Sequence, residues 1–528
     1  MELTTITGRH GMVTAPHYLA AEAGLSVLRD GGNAIEATVA VAATLAVVYP
    51  HMTGIGGDGF WTIDPGPGSE VYTIHGCGAA ASAADLSLYA GLDAVPTRGP
   101  LAANTVAGAI SVWDAALDSI WSELPLERLL RDAIRYAETG VHVTAGGALI
   151  ASAKGAELRD QIGAYAETFE PNGRPLIAGD VLRQPVLAQT LRELAREGLE
   201  SFYHGALAEK IALDLAALGS PVSLSDIAAH VAWYLDPLHT KVRNATLYNS
   251  TPPTQGFASL MILALFDRLT ADEAESFAHI HGLVETTKQA FLLRDRHVGD
   301  PAYHDFDLQA LLDDPAALDA LAANIDPATA LPWPQPPQWG DTCWFGAADS
   351  AGRVVSAIQS TYFEFGSGLV LPQTGITWQN RGSSFRLAPS GWNALRPGRK
   401  PFHTLNPALA RFDDGRVMAY GTMGGEGQPQ TQAALFSRYA RYGVDLQESI
   451  SRPRWLLGRT WGEQSTTLKL EDGFDESLYA ALAAAGHDVE RVGPLTAMMG
   501  HAGAVVRHAD GRLEGATDPR SDGGVAAW

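Results

Sequence analysis

Five prolines, at positions 327, 332, 334, 336 and 337, fall within eleven residues and are interleaved with Trp333 and Gln335. Each proline holds φ near about −65° and removes a backbone donor, so the run can form neither a helix nor a central strand. It reads as an exposed, extended connector. Beyond it, Thr342 to Ala348 and Arg353 to Gln359 are strand-like runs on either side of the turn residues Asp349-Ser350-Ala351-Gly352, the pattern of a hairpin.

The chain before the connector has a different texture. From Ala15 to about Tyr49 it is Ala-rich and helical, with a break at Gly31-Gly32. The stretch Ala37 to Tyr49 is apolar on every face but too short to cross a bilayer, which predicts a buried helix. It runs into the cluster Gly54-Ile55-Gly56-Gly57-Asp58-Gly59 and then Phe60-Trp61-Thr62-Ile63, so helix, tight loop and strand are expected in that order. No Lys-Ser/Thr follows these glycines and the strand comes after them, which argues against a phosphate loop. A close backbone approach is their expected use. Helical patterns dominate from Val106 to about Leu218, with a break at Phe202-Tyr203-His204-Gly205, and recur from Ala258 to Leu269 and from Ala278 to Val298. The expectation is a mostly α part before the connector and a β-rich part after it.

A chain of 528 residues with 46% hydrophobic and 18% charged residues has the composition of a globular enzyme-sized protein. Its 59 acidic and 37 basic residues give a formal charge of −22. That charge repels phosphate backbones and anionic lipid, so neither nucleic acid nor a membrane is an expected partner. Residues Met1 to Gly11 lack an apolar signal core, and the cytoplasm is the expected location. Cys77 and Cys343 allow at most one disulfide, and neither zinc-ligand spacing nor a G-x-S-x-G elbow occurs. Neither a metal nor an organic cofactor is expected.

What remains is a threonine at the point where the connector gives way to a strand. A Thr hydroxyl is a weak nucleophile unless a base stands beside it, and a free α-amine on the same residue is such a base. That amine titrates near about 7.7–8.0 and is partly neutral in the cell. Cleavage must expose it: the Thr342 hydroxyl attacks the Asp341 carbonyl, the peptide becomes an ester, and water releases the new N-terminus. On spacing alone, a Thr that opens a strand is ordinarily structural.

Several separated passages alter that balance. They are GMVTAPHYLAAEAGLSVLRDGGNAIEATVA at 11–40, TGIGGDGF at 53–60, NTVAG at 104–108, HGALAEKIA at 204–212 and TPPTQG at 251–256, followed by GDPAY at 299–303, DTCWFGAAD at 341–349, FGSGLVLPQTGI at 365–376, MGGEGQPQ at 423–430 and DPRSD at 518–522. In this order, and over almost its whole length, the chain resembles the γ-glutamyltranspeptidase family. The resemblance implies an α+β fold, a four-layer α-β-β-α sandwich of the N-terminal nucleophile hydrolase type. It also implies self-cleavage into a large fragment, 1–341, and a small fragment, 342–528, which stay together as one folded heterodimer.

Carried over by position, the resemblance makes Thr342 the nucleophile and Asp341-Thr342 the cleavage site. Cys343-Trp344 stands where the family usually has Thr-His. Ser360 takes the place of a Thr whose hydroxyl touches and tunes the nucleophile. Gly424 and Gly425 match paired glycines whose backbone N–H groups form the oxyanion hole; a tight turn is the alternative reading.

The family's glutamate-binding residues are mostly replaced: Ile74-His75-Gly76-Cys77 lies around the expected Arg, Ser384 is at the Asp position, Tyr362 at the Asn, Arg381 at the Gln and His403-Thr404 at the Ser pair. With that Asp gone, a substrate ammonium has no counter-charge, which disfavours γ-glutamyl donors. Arg381 offers a fork for a carboxylate instead, assisted by His403 and Thr404, with a structural arginine as the alternative. His75 either contacts substrate or packs. The segment from Phe385 to Arg399 is short where bacterial transpeptidases carry a lid, which implies an open site with water as the acyl acceptor. The chain is most similar to the non-glutamyl branch, which includes cephalosporin-acylase-like proteins and enzymes acting on oxamate. The expected reaction is hydrolysis of a small-molecule amide, oxamate to oxalate and ammonia. The alternatives are γ-glutamyl hydrolysis or transfer, glutaryl-type acylase activity, and a processed but inactive binder of small carboxylates.

Overall fold

The computed structural model describes residues 3–120, 122–333, 341–458 and 465–528. Of the connector, Pro327 to Trp333 is irregular and mostly exposed, while Pro334, Pro336 and Pro337 lie outside the described residues, as does the side chain of Asp341.

Fourteen strands build two seven-stranded sheets. Before the connector these are β1 (Ile6–Gly8), β2 (Gly11–Ala15), β3 (Asp58–Asp64), β4 (Tyr72–Gly76), β5 (Trp233–Leu235), β6 (Leu238–Val242) and β7 (Ala245–Asn249). After it come β8 (Asp341–Asp349), β9 (Val354–Tyr362), β10 (Ala408–Phe412), β11 (Val417–Gly421), β12 (Gly503–Arg507), β13 (Leu513–Thr517) and β14 (Gly524–Ala527). One sheet has the order β1-β13-β12-β11-β10-β7-β6 and the other β14-β2-β8-β9-β3-β4-β5. Every pairing in both is antiparallel.

Three apolar clusters separate four layers. Between the sheets lie Met12, Phe60, Trp344, Ile358, Leu409, Ala419 and Val505. On the outer face of the β8 sheet, Trp61, Ile74, Phe345 and Ala357 meet helices α1 (Tyr18–Arg29) and α2 (Ala34–Val48) and the helices of residues 109–217. On the outer face of the other sheet, Leu247, Ala410 and Val506 meet α3 (Gly256–Phe266), α4 (Phe277–His297) and α5 (Gly427–Phe436). The strand period explains the sorting: in β8, Cys343, Phe345 and Ala347 face the helices while Trp344 and Ala348 face the second sheet. The result is the α-β-β-α sandwich.

The expected division into an α part and a β part is corrected by this topology. Seven of the fourteen sheet strands precede the connector. Burial on both faces erases the alternation in β2 and β3, β1 and β5 are only three residues long, and β6 and β7 alternate in burial over just five residues each.

Helix α2 is buried along its whole length, as its all-round apolar surface requires. Asn33 and Glu36 form a capping box at its start. Glu36 Oε1 also accepts from Ser122 Oγ at 2.6 Å and from the N–H groups of Glu123 and Leu124, both at 2.9 Å. One buried carboxylate therefore satisfies two chain segments. Glu36→Ala should leave those donors unpaired and lower stability by about 3 kcal/mol or more. Urea unfolding checks it, and a midpoint equal to wild type would refute it.

Candidate active site

Thr342 lies at the start of β8, an interior strand paired with β9 on one side and β2 on the other. The register shifts between Asp341, opposite Tyr362, and Cys343, opposite Gln359. This irregularity sets Thr342 against the Ser360–Thr361 stretch of β9. Such bulges re-aim a side chain at a strand end. Thr342 is fully buried, and Gln428 Nε2 reaches its Oγ1 at 3.5 Å.

The departure at Cys343-Trp344 has a packing reason. A Cβ on Gly421 or Gly503, in the facing sheet, would come within 2.2 or 2.5 Å of the Trp344 ring. These glycines leave the slot that the indole fills, and its Nε1–H donates to Ser356 Oγ at 3.0 Å. The glycine cluster acts in the same way: a Cβ on Gly57 would lie 2.1 Å from the Ser360 carbonyl oxygen. Ser360 Oγ accepts from the Tyr362 N–H at 2.8 Å. Tyr362 has φ of 83°, in the left-handed region, a costly conformation for a bulky residue.

Gly424 and Gly425 have φ of 113° and 53°. They form the turn into α5, with the Gly427 N–H donating to the Gly424 oxygen at 2.8 Å. Neither glycine's own N–H donates a hydrogen bond among the described residues. Gln255 Nε2 donates to the oxygens of both Gly425 and Thr404, each at 2.8 Å. Arg294 in turn donates to Gln255 Oε1 at 3.0 Å and to Glu426 Oε1 at 2.7 Å. Asn406 Nδ2 links Thr404 O, at 2.9 Å, to Gln428 Oε1, at 3.0 Å. A continuous polar chain thus joins Thr342, Gln428, Asn406 and Thr404.

Thr404 Oγ1 leads to Arg381, whose Nη1 donates to it at 3.4 Å. Arg381 is 1% exposed, and its Nε and Nη2 have no acceptor among the described residues. The Tyr362 ring lies 3.7 Å from its guanidinium carbon. Burial lowers its pKa to about 10. A buried guanidinium with two unmet donors is costly until an anion meets it.

The carboxylate acting on Arg381 is Asp58, which sequence reading left inside the glycine cluster. Its Oδ1 accepts from the N–H groups of Gly78 at 3.2 Å and Gly108 at 3.1 Å, and from Gln379 Nε2 at 3.0 Å. Its Oδ2 lies 2.9 Å from His403 Nε2. Burial pushes Asp58 up to about 7, against the opposing pull of Arg381 and these donors. Burial first, then the charges of Arg381, His75 and Lys400, hold His403 well below the ordinary imidazole range. His403 Nδ1 has no partner. Phe60 packs edge-on against His403 at 4.8 Å and His75 at 4.9 Å. Both His75 nitrogens lack partners, and burial lowers its pKa to about 3.

The structure therefore gathers His403, Thr404, Arg381 and Tyr362 in one buried group and ties it by hydrogen bonds to Thr342 and the Gly424-Gly425 turn. His75 stands beside the group. Asp58, Gln428, Asn406 and Gln255 were missed; Asp58 carries a visible signal, as an acid among glycines at the first position of the fully buried strand β3. The expected openness is not met in the single chain, where Thr342, Arg381 and His403 are all within 1% of full burial, because β8 lies inside its sheet. A cavity of about 510 Å³ lined by Cys77, Val106, His230, Trp233 and Lys400 adjoins the group through Cys77-Gly78.

Among the described residues, His281, Glu285 and His487 are the one trio that converges as metal ligands might in geometry alone. Their atoms are already engaged. His281 bonds His487 Nε2 and the Asp326 oxygen, each at 2.9 Å. Lys288 Nζ donates to Glu285 Oε1 at 2.7 Å and to the Leu331 oxygen at 2.6 Å. The cluster clamps the stretch at 326–331 that leads toward Thr342.

No helix among the described residues is long and apolar enough to cross a membrane. The γ-glutamyltranspeptidase family model matches residues 20–528. The chain is 55% identical to the oxamate amidohydrolase proenzyme of Klebsiella pneumoniae subsp. pneumoniae, over 98% of each chain. It is 40% identical to the glutathione hydrolase-like YwrD proenzyme of Bacillus subtilis, again over 98% of each. The crystal structure of a cephalosporin acylase from Bacillus halodurans superposes with a TM-score of 0.92 at 31% identity, covering 100% of this chain and 97% of that one. By sequence and by fold, then, this chain belongs to the γ-glutamyltranspeptidase family of N-terminal nucleophile hydrolases.

Proposed function

We propose that the chain is a proenzyme that cuts itself between Asp341 and Thr342 and then hydrolyses a short carboxylate-bearing amide, oxamate being the leading substrate. The observation that carries this reading is Arg381, buried with Nε and Nη2 unpartnered, a seat for one carboxylate. Asp58 offers no matching seat for a substrate ammonium, since Oδ1 already takes three donors and Oδ2 faces His403. Similarity to the oxamate amidohydrolase proenzyme supports the same substrate.

In this mechanism the α-amine of Thr342 takes the hydroxyl proton as Oγ1 attacks the amide carbon. The N–H groups of Gly424 and Gly425 stabilise the oxyanion. The amine returns the proton to the departing nitrogen, and ammonia leaves. Water then adds to the acyl-threonine ester and releases oxalate, restoring the hydroxyl. Ser360 tunes the nucleophile from β9. Arg381, with Thr404 and His403, holds the carboxylate, and no step calls on a metal or an organic cofactor.

Intact mass of the purified protein and of Thr342→Ala tests the first step. Wild type should give fragments 1–341 and 342–528 and the variant one chain of 56.0 kDa; a single chain in both would remove Thr342 as an N-terminal nucleophile. Both sheets interleave strands from the two sides of that bond, so the fragments should co-elute in size-exclusion chromatography until denaturant is added. Separation in native buffer would contradict that. Arg381→Ala should raise KM for oxamate roughly 100-fold, the loss of a charged hydrogen-bonding pair, with self-cleavage intact; an unchanged KM would discard the carboxylate seat. The likeness to a cephalosporin acylase favours glutaryl amides as the competing substrate class, and ammonia release from oxamate measured beside glutaryl-amide hydrolysis decides between them.

A further inference from the structure

We propose that a substrate carboxylate enters the Arg381 seat together with one proton, which the Asp58–His403 pair takes up so that His403 Nδ1 becomes a hydrogen-bond donor to that carboxylate. This rests on the carboxylate reading of Arg381 and adds to it a proton-linked partner, with Asp58 as the positioning residue.

Three polar atoms of the buried group lack partners among the described residues: Arg381 Nε, Arg381 Nη2 and His403 Nδ1. The first two are donors whatever the pH. The third depends on Asp58. Three donors converge on Asp58 Oδ1, which suits an ionised carboxylate. Its Oδ2 then accepts His403 Nε2–H across 2.9 Å, and a neutral imidazole protonated at Nε2 carries a bare lone pair at Nδ1. A lone pair facing a carboxylate repels it.

Charge makes the same demand. Arg381 and ionised Asp58 cancel, so the one carboxylate seated on Arg381 adds an uncompensated negative charge to a fully buried group, which is strongly unfavourable. The other titratable groups facing the pair do not remove it. Burial holds His75 neutral, with its pKa near about 3, and pushes the Cys77 thiol up to about 12. Lys400 is part-exposed at the cavity rim, over the Trp233 ring and within the field of Asp300. Apart from the Thr342 α-amine, which wild type and the variant below share, the remaining route to neutrality is a proton on the pair.

The transfer is balanced within the pair. A solvent proton adds at His403 Nδ1, and the Nε2 proton crosses to Asp58 Oδ2. Asp58 becomes a neutral acid that donates back to Nε2, and the imidazole stays neutral. Burial raises Asp58 to about 7 and holds the ring far lower, so the added proton rests on the acid. Below about pH 7 the free enzyme already carries it and binding does not vary with pH on this account. Above about pH 7 it must be acquired, and carboxylate affinity falls about tenfold per pH unit.

The test is calorimetric binding of oxalate, fully ionised throughout, to the processed enzyme in two buffers of different ionisation enthalpy, near pH 8 and near pH 6. Wild type should take up about one proton per oxalate at the higher pH and almost none at the lower. In Asp58→Asn the amide oxygen stays with the three donors now on Oδ1, so the NH2 group faces Nε2 and holds Nδ1 permanently protonated. That variant should bind oxalate without the wild-type proton uptake and with a flat pH dependence. It retains the Thr342 α-amine, so the difference from wild type belongs to the pair. If Asp58→Asn does not fold, Asp58→Ser removes the acid that takes the proton, keeps Arg381 and His403, and should likewise lose the uptake. Arg381-dependent binding without proton uptake in wild type, or uptake that persists in the variant, overturns the proposal and leaves the carboxylate seat standing. No oxalate binding, or binding indifferent to Arg381→Ala, overturns the seat itself and this inference with it.

Discussion

Strand β8 is hydrogen-bonded along both edges, to β2 before the connector and to β9 after it, and the rest of the molecule depends on that ladder. Thr342 opens that strand beside β9, and β2 joins four residues further on, from Gly346 to Asp349, so the strand end that carries its hydroxyl is anchored in the sheet. The same ladder unites the two halves of the sequence. Each sheet takes strands from both sides of the Asp341–Thr342 bond, so breaking one peptide bond removes none of the pairing that defines the fold.

Glycine sets how closely the layers approach. Trp344 fits between the sheets because Gly421 and Gly503 lack side chains, and the loop at Gly56-Gly57 passes the backbone at Thr377 and Ser360 at distances that no Cβ would tolerate. These contacts bring Asp58, at the start of β3, against Ser360 of β9 and so bring a carboxylate to the Arg381 group. Packing and chemistry share residues: the glycine run that lets a helix return into a strand also delivers the acid that orients His403.

Charge is handled unevenly through the interior. Arg294 is paired with Glu426 and Asp295, Arg438 with Glu275, and Arg454 with Asp518, as buried cations usually require. Arg381 alone among these leaves two donors unmet. The strained Tyr362 backbone beneath it marks the same place as costly, and such costs gather where a fold is shaped for a ligand. The three paired arginines belong to the framework, and the two unmet donors of Arg381 are what the carboxylate proposal rests on.

Local patterns in the sequence were sufficient for α2, for the hairpin β8–β9, for α3 and α4, and for the use of the glycine cluster, because each depends on periodicity or turn chemistry within a few residues. The ordered passages were sufficient to indicate the four-layer fold, and of the residues they pointed to, Arg381 and His403-Thr404 fall together in one buried group. Apart from the strand expected at Phe60–Ile63, strand content before the connector escaped notice, since the other strands there are only three to five residues long, too short for a periodic pattern to stand out. Asp58 as the partner of His403, 345 residues away, and the unmet donors of Arg381 were decided only by tertiary structure. A hydrogen bond between distant segments leaves no periodic trace, and whether a charged group is satisfied depends on every chain segment folded around it.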